Sequence, residues 1–216
     1  MSIAARLERS ALPTDFYDTV GWTDDAEEAF RHLRALLGAA NEHINLVGDS
    51  TLADFWTRHV VDSAQLLWIA PGAKVWADIG SGAGFPGLVL GILLRGRPNA
   101  RVHLIESSAK RCRFLRAAVA DLAIPCTVHQ ARAEGLRLDV DIVTARACAP
   151  LDRLLGYAQN FFARGARGLF LKGEGVEAEI AAARANWRFD GEVGTSLSDP
   201  RGRILSIGRL ARASKP

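Results

Sequence analysis

The chain is poor in several residue types on which common functions depend. Its three cysteines, Cys112, Cys126 and Cys148, are an odd number without a Cys-x-x-Cys pair. That argues against a disulfide framework or a zinc site, and no metal is expected; reduced thiols in a cytosolic protein are the simpler reading. Long apolar runs are also missing. The longest, from Phe85 to Leu94, is about half of what a membrane-spanning helix requires. The opening residues, MSIAARLERS, hold no apolar segment of a signal peptide. A soluble, cytoplasmic protein without a membrane partner is therefore expected. With two tyrosines and five tryptophans, scattered along the chain, there is no aromatic ladder for stacking on single-stranded bases. Internal repeats and low-complexity segments are absent.

What is present fits a single substantial core with an appendage, since 216 residues are too few for two domains of full size. The net charge of +3 conceals a division. Residues 1–74 carry 6 Lys and Arg against 11 Asp and Glu, a balance of −5; residues 75–216 carry 21 against 13, a balance of +8. A basic carboxyl-terminal two-thirds suits a polyanionic partner, although charge alone names none.

Residues 24–40 open with acids and continue with Phe30, Leu33, Leu36 and Leu37 at helical spacing, which predicts a helix with its acids at the positive end of the dipole. A second helix is expected from Leu52 to Ile69. Pro71-Gly72 then breaks the chain, dividing a helical extension (1–72) from a core (73–216). Beyond it, short β-rich runs alternate with helices. Strands are predicted at Val75–Ile79, Val102–Glu106, Cys126–His129, Asp141–Ala145 and Gly168–Lys172, with helices near Pro86–Leu94, Ser108–Leu122 and Leu151–Phe162. Trp187–Val193 and Arg203–Leu210 read as a closing antiparallel pair. The expected class is α/β, a mostly parallel seven-stranded sheet covered on both faces.

The segment from Trp76 to Gly87 is the most informative. An apolar strand runs into Gly80, Gly82, Gly84 and Gly87, and a helix follows. Glycines at such a bend permit positive φ and close approach of a ligand to the backbone. A dinucleotide turn, G-x-G-x-x-G/A, would need its third small residue where Phe85 stands. The G-x-G-x-G spacing with Asp78 ahead of it is typical of S-adenosylmethionine binders. Glu106 ends the second strand, where a carboxylate can accept both ribose hydroxyls.

On these and further motifs the sequence resembles a known family. RHVVDS (58–63), DIGSGAGFPG (78–87), ESSAKRCRFL (106–115), RAE (132–134), TARACAPL (144–151) and LKG (171–173) follow one another as in the bacterial glucose-inhibited division protein B proteins, the small-subunit ribosomal RNA 7-methylguanosine methyltransferases. The resemblance implies a Rossmann-like class I S-adenosylmethionine-dependent methyltransferase with an N-terminal helical extension. It also implies cofactor contacts at Gly80, Phe85, Ala133, Glu134 and Arg146, beside Asp78, Gly82, Gly84 and Glu106 of the turn. Two departures stand out: Lys110-Arg111 replaces a frequent Lys-Lys pair, and Val47 stands where a Thr often follows Asn-Leu.

The implied reaction is displacement of the sulfonium methyl by guanine N7. That nitrogen has a free lone pair and no proton, so no general base is required, and positioning carries the catalysis. The positioning candidates are Arg58, His59, Asp62, Arg146 and Lys172. Arg58 and Asp62 also have the i,i+4 spacing of an ordinary helical ion pair worth about 0.3–0.5 kcal/mol, and His59 reads equally as an interface histidine. For RNA the candidates are Arg97, Lys110, Arg111 and Arg113, within seven basic residues between Arg95 and Arg116, and Arg201 and Arg203, within a carboxyl-terminal group that adds Arg209, Arg212 and Lys215. Such patches suit phosphates and a folded RNA or particle. The expected partner is 16S ribosomal RNA or the small ribosomal subunit, an assembly intermediate included, met by a monomer. The residues leave two alternatives open: a methyltransferase of a small molecule or protein, and a non-catalytic nucleotide- or RNA-binding protein.

Overall fold

The computed structural model describes residues 12–48 and 52–213; the opening MSIAARLERS segment and Lys215 lie outside them. The helical part begins with α1 (Phe16–Val20) and α2 (Asp24–Asn41). Thr23 starts α2 by accepting the Ala26 amide on its hydroxyl at 3.2 Å, and Asp24, Asp25 and Glu27 occupy the first turn, as the acid-first pattern requires. The helix expected from Leu52 to Ile69 is divided. Trp56–Val61 form a π-helical stretch, and α3 covers only Asp62–Ile69.

The remaining elements alternate: β1 (Val75–Ile79), α4 (Gly87–Leu93), β2 (Arg101–Glu106), α5 (Ala109–Leu122), β3 (Cys126–Gln130), β4 (Ile142–Arg146), α6 (Leu151–Phe162), β5 (Arg167–Lys172), α7 (Val176–Ala183), β6 (Trp187–Thr195) and β7 (Arg203–Arg212). All seven expected strands form, in the order β3-β2-β1-β4-β5-β7-β6. The first five are parallel, and β7 joins β5 antiparallel with β6 outside it. Helices α1 and α7, and a 3-10 turn at Ala133–Gly135, are too short to leave a periodic signal in the sequence.

The period of two along each strand divides the core and aims the side chains that matter. Trp76, Val102, Leu104, Ile142, Leu169 and Leu171 pack with Phe30, Leu33, Phe55 and Leu88 beneath the N-terminal helices and α4. Ala77, Ile105, Val143, Ala145 and Phe170 pack with Leu154, Phe161 and Val176 beneath α6 and α7. By that alternation Asp78, Glu106 and Arg146 fall on the face covered by the N-terminal helices, and Lys172 falls on the face covered by α7. The order reverses between β1 and β4, and the crevice beyond the carboxyl ends of those two strands is where open α/β sheets bind ligands.

Candidate active site

Three glycines after β1 have left-handed backbone: Gly80 at φ 71°, Gly82 at 55° and Gly84 at 99°. Packing forbids a side chain at two of them. A Cβ on Gly80 would collide with the Cys148 thiol, and one on Gly84 with Leu88. Beneath the turn Asp78 is fully buried. Its Oδ2 accepts the Gly87 amide at 3.1 Å, while Oδ1 has no partner among the described residues. Burial raises this carboxyl to a pKa of about 7, against the lowering effect of the nearby Ser81 hydroxyl, which donates to the Asp78 carbonyl, and of the Gly87 amide. Glu106 closes the turn from β2. Its carboxylate accepts the Gly82 amide at 3.1 Å and the Ser108 amide at 2.8 Å, which leaves further lone pairs for a ligand. Ala133 is buried and Glu134 exposed in the 3-10 turn beyond β3.

A second group forms around Arg146. Its Nη1 donates to the Arg58 carbonyl at 2.6 Å and faces Asp62 Oδ2 at 3.4 Å. Its Nη2 donates to His59 Nδ1 at 2.8 Å, and the guanidinium carbon stands 4.9 Å from the centre of the Phe85 ring. The π-helical stretch makes this possible: the Asp62 amide bonds to Thr57 and His59 rather than to Arg58, whose carbonyl meets the arginine. The His59 ring stacks on Phe85 with centroids 4.4 Å apart and planes 11° apart. Burial, then the charges of Arg146 and Arg58, lower His59 to a pKa of about 3. The imidazole is neutral, with its proton on the buried Nε2, which has no partner among the described residues. Burial also lowers the Arg146 pKa, against the opposing pull of Asp62.

Arg58, His59, Asp62, Arg146 and Lys172 all line one cleft of about 1120 Å³, with Cys148 and Arg201. Because the Cys148 thiol packs over Gly80, the cleft opens directly beside the glycine turn. Lys172 stands apart from the Arg146 group and donates to Ala149 O at 3.1 Å and Glu179 Oε2 at 2.7 Å. Five of these neighbours escaped the sequence reading. Ser198 donates to Asp62 Oδ1 at 2.7 Å. Gln65 donates to the same oxygen at 3.0 Å and to Ser196 at 2.9 Å. Glu179 and Cys148 complete the set. Ser198 lies 136 residues from Asp62, a separation at which no local pattern exists; only Gln65, three residues after Asp62, carried a helical-spacing signal.

The structure also sorts the basic residues. Lys110, Arg111 and Arg113 begin α5 at the carboxyl end of β2, and Arg111 stands 3.8 Å from Glu106. Arg201 lies in the β6–β7 turn and Arg203 begins β7, where it pairs in register with Lys172 of β5. Arg97 lies at the opposite, amino end of β2, and donates to the carbonyls of Val20 at 3.0 Å and Thr19 at 3.5 Å. Arg95 is similarly turned toward the carbonyls of Leu122 and Asp25, at 3.4 Å each. The single basic cluster of the sequence is thus two clusters at opposite ends of the sheet.

The family model for rRNA small subunit methyltransferase G, GidB, matches residues 26–203. The chain belongs to this family. A Caulobacter vibrioides member, named ribosomal RNA small subunit methyltransferase G, is 55% identical over 197 residues, 91% of each chain. Two solved structures share the fold beyond the family. Ribosomal protein L11 methylase from Lactobacillus delbrueckii subsp. bulgaricus aligns at 17% identity and a TM-score of 0.54 over 68% of this chain and 76% of that one. A SAM dependent methyltransferase from Aquifex aeolicus aligns at 14% identity and 0.53 over 73% and 92%. At those identities the likeness speaks for the fold alone. Among the described residues no helix is long and apolar enough to cross a membrane, and no group of three or more His, Cys, Asp or Glu could hold a metal ion.

Proposed function

We propose that this protein methylates N7 of a guanine in 16S ribosomal RNA, using S-adenosyl-L-methionine. The observation that carries the reading is the adjacency, in a member of this family, of the glycine turn and a cleft lined by Arg58, Arg146, Lys172 and Arg201 alongside Asp62, Glu174, Glu179 and Asp199, joined where Cys148 packs on Gly80. The turn fits the cofactor's chemistry. Asp78 holds a carboxyl oxygen without a partner among the described residues, available to an ammonium group, and Glu106 has lone pairs for a ribose diol. Phe85, Ala133 and Glu134 offer the apolar and backbone contacts that the family resemblance gives them, and Arg146 borders both turn and cleft. On this reading residues 1–72 are an extension that builds one wall of the site and 73–216 the cofactor-binding core, working as a monomer.

When bound, the cofactor supplies an electrophilic methyl, taken by the N7 lone pair while the carbon–sulfur electron pair leaves on sulfur. N7 loses no proton, so the chain needs no base, and His59, lowered to a pKa of about 3 by burial and by the charge of Arg146, is a poor one. The protein's contribution is to hold the nucleophile in line and exclude water. The purine becomes cationic as the methyl arrives. The arginines of the cleft therefore act best at phosphates and carbonyl oxygens, away from N7. Lys110, Arg111, Arg113, Arg201 and Arg203 supply the phosphate contacts.

Labelled S-adenosylmethionine offered with undermethylated small subunits, naked 16S RNA and transfer RNA tests the reading. Label recovered as 7-methylguanosine from the small-subunit RNA is the expected result. No label in any RNA, or a different methylated base, overturns it.

A further inference from the structure

The family assignment leaves open how one guanine is held in the cleft. At the carboxyl end of β5, Lys172 is almost completely buried, its side chain 8% exposed, and it pairs with Glu179 of α7, 33% exposed. Two of the three ammonium N–H groups are used, on Ala149 O and Glu179 Oε2. That same Oε2 also accepts the Leu151 amide at 2.6 Å. One Lys172 N–H and the whole of Glu179 Oε1 are thus without partners among the described residues, and both side chains line the cleft. The cleft offers a donor beside a carboxylate acceptor.

That sequence of groups is complementary to one purine edge. The Watson–Crick edge of guanine presents O6, an acceptor, followed by N1–H and the N2 amino group, both donors. Adenine presents the reverse, an amino donor followed by an acceptor nitrogen, and would set donor against donor and lone pair against lone pair. We propose that Lys172 and Glu179 are the guanine-reading pair: Nζ donates to O6, and Oε1 accepts from N1–H and the N2 amino group. The inference rests on the guanine-N7 reading above and deepens it.

The arrangement also suits the reaction. Gripping the Watson–Crick edge leaves N7, on the other side of the ring, free to face the methyl. As the purine gains positive charge its N1–H becomes more acidic, so the bond to the Glu179 carboxylate strengthens along the reaction coordinate. An interaction stronger in the transition state than in the bound substrate accelerates chemistry. Lys172, its charge matched by Glu179, reads O6 without placing a net cation beside the developing one. A site built to hydrogen-bond its substrate discriminates strongly, because the wrong substrate leaves buried polar groups unpaired.

The test uses the full chain, labelled S-adenosylmethionine, and small subunits reconstituted with either guanine or inosine at the position that the wild-type protein labels. Inosine keeps O6, N1–H and N7 but lacks the N2 amino group. Wild-type kcat/KM is expected to fall about tenfold on inosine. Glu179→Gln, which retains an oxygen for the Leu151 amide, is expected to lose about tenfold or more on guanine, with little further loss on inosine and with unchanged cofactor affinity and Tm. An equal inosine penalty in wild type and variant, or full activity of Glu179→Gln on guanine, overturns the pairing. If Glu179→Gln lowers Tm, the same comparison with Glu179→Asp decides, because a purely structural role does not alter the inosine penalty. Failure of the wild-type protein to label guanine at all would overturn the methyltransferase reading instead.

Discussion

Nη2 of Arg146 donates to Nδ1 of His59 at 2.8 Å, and this bond fixes both residues. An arginine can only donate, so His59 Nδ1 must accept and the imidazole must be neutral. The guanidinium meets three acceptors from one short stretch of helix: Arg58 O, Asp62 Oδ2 and His59 Nδ1. A lysine has neither the planar fork nor the reach for them. Arg146→Lys is expected to weaken S-adenosylmethionine binding by about tenfold or more, a loss of roughly 1.4 kcal/mol, with the circular dichroism of the fold retained. Titration calorimetry checks it, and unchanged affinity would remove Arg146 from the cofactor site.

If Asp78 meets the cofactor's ammonium group as proposed, S-adenosylmethionine binding depends on pH. Burial raises its pKa to about 7, so the free protein holds a neutral carboxyl in acid, whereas a ligand ammonium favours the carboxylate. Affinity is expected to rise with pH, by at most about tenfold per unit, and to level off above about pH 7. Asp78→Asn should bind more weakly with a flat profile. The sign for stability follows from the same shift: a raised folded-state pKa gives stability that is present below the unfolded value and lost as pH rises through about 7. Asp78→Asn is therefore relatively more stable at pH 8 than at pH 4, as denaturant midpoints would show.

The histidines work in the opposite direction. His59 is lowered to about 3 and His103 to about 4, chiefly by burial, and His103 Nδ1 lies 2.9 Å from His129 Nε2 on the neighbouring strand. Depressed values give stability that is present above the unfolded pKa near 6.5 and lost as pH falls toward 3 to 4. Unfolding free energy is expected to decline from about pH 6.5 downward, and more shallowly in a His103→Gln/His129→Gln double variant. A wild-type profile flat between pH 6.5 and 5 would contradict this.

Gly80→Ala forces a side chain onto a backbone at φ 71° and into the Cys148 thiol. Strain and overpacking together predict a loss of roughly 2–4 kcal/mol. Adding Cys148→Ala removes the sulfur but not the φ strain, so part of the loss should be recovered in thermal unfolding. Full additivity of the two substitutions would mean that the thiol is not the obstacle.

The two basic clusters should separate in a salt titration of RNA binding. Arg201→Glu, at the rim of the cleft, is expected to weaken binding and lower the salt slope. Arg97→Gln, at the far end of the sheet, should leave the slope unchanged and cost about 1–2 kcal/mol of stability, because its carbonyl partners on α1 lose their donor. Equal effects on RNA would place both residues on one binding surface.

The sequence by itself determined the seven strands, the glycine turn and the family, because each is written locally. Alternation of period two marks a strand, and positive φ after an apolar strand selects glycine. Motifs such as RHVVDS and FPG are read in consecutive residues. Only the tertiary structure decided which charges meet. The parity of each strand sends Arg146 toward the π-helical stretch and Lys172 toward α7. The turn between β6 and β7, carried by the antiparallel pair beside β5, brings Ser198 to Asp62 across 136 residues. Arg97 and Arg113, neighbours in a basic run, are parted because β2 runs the length of the sheet between the turn that holds Arg97 and the helix that carries Arg113. A charge pattern records how many cations a segment holds. Where they point is set by partners distant in the chain.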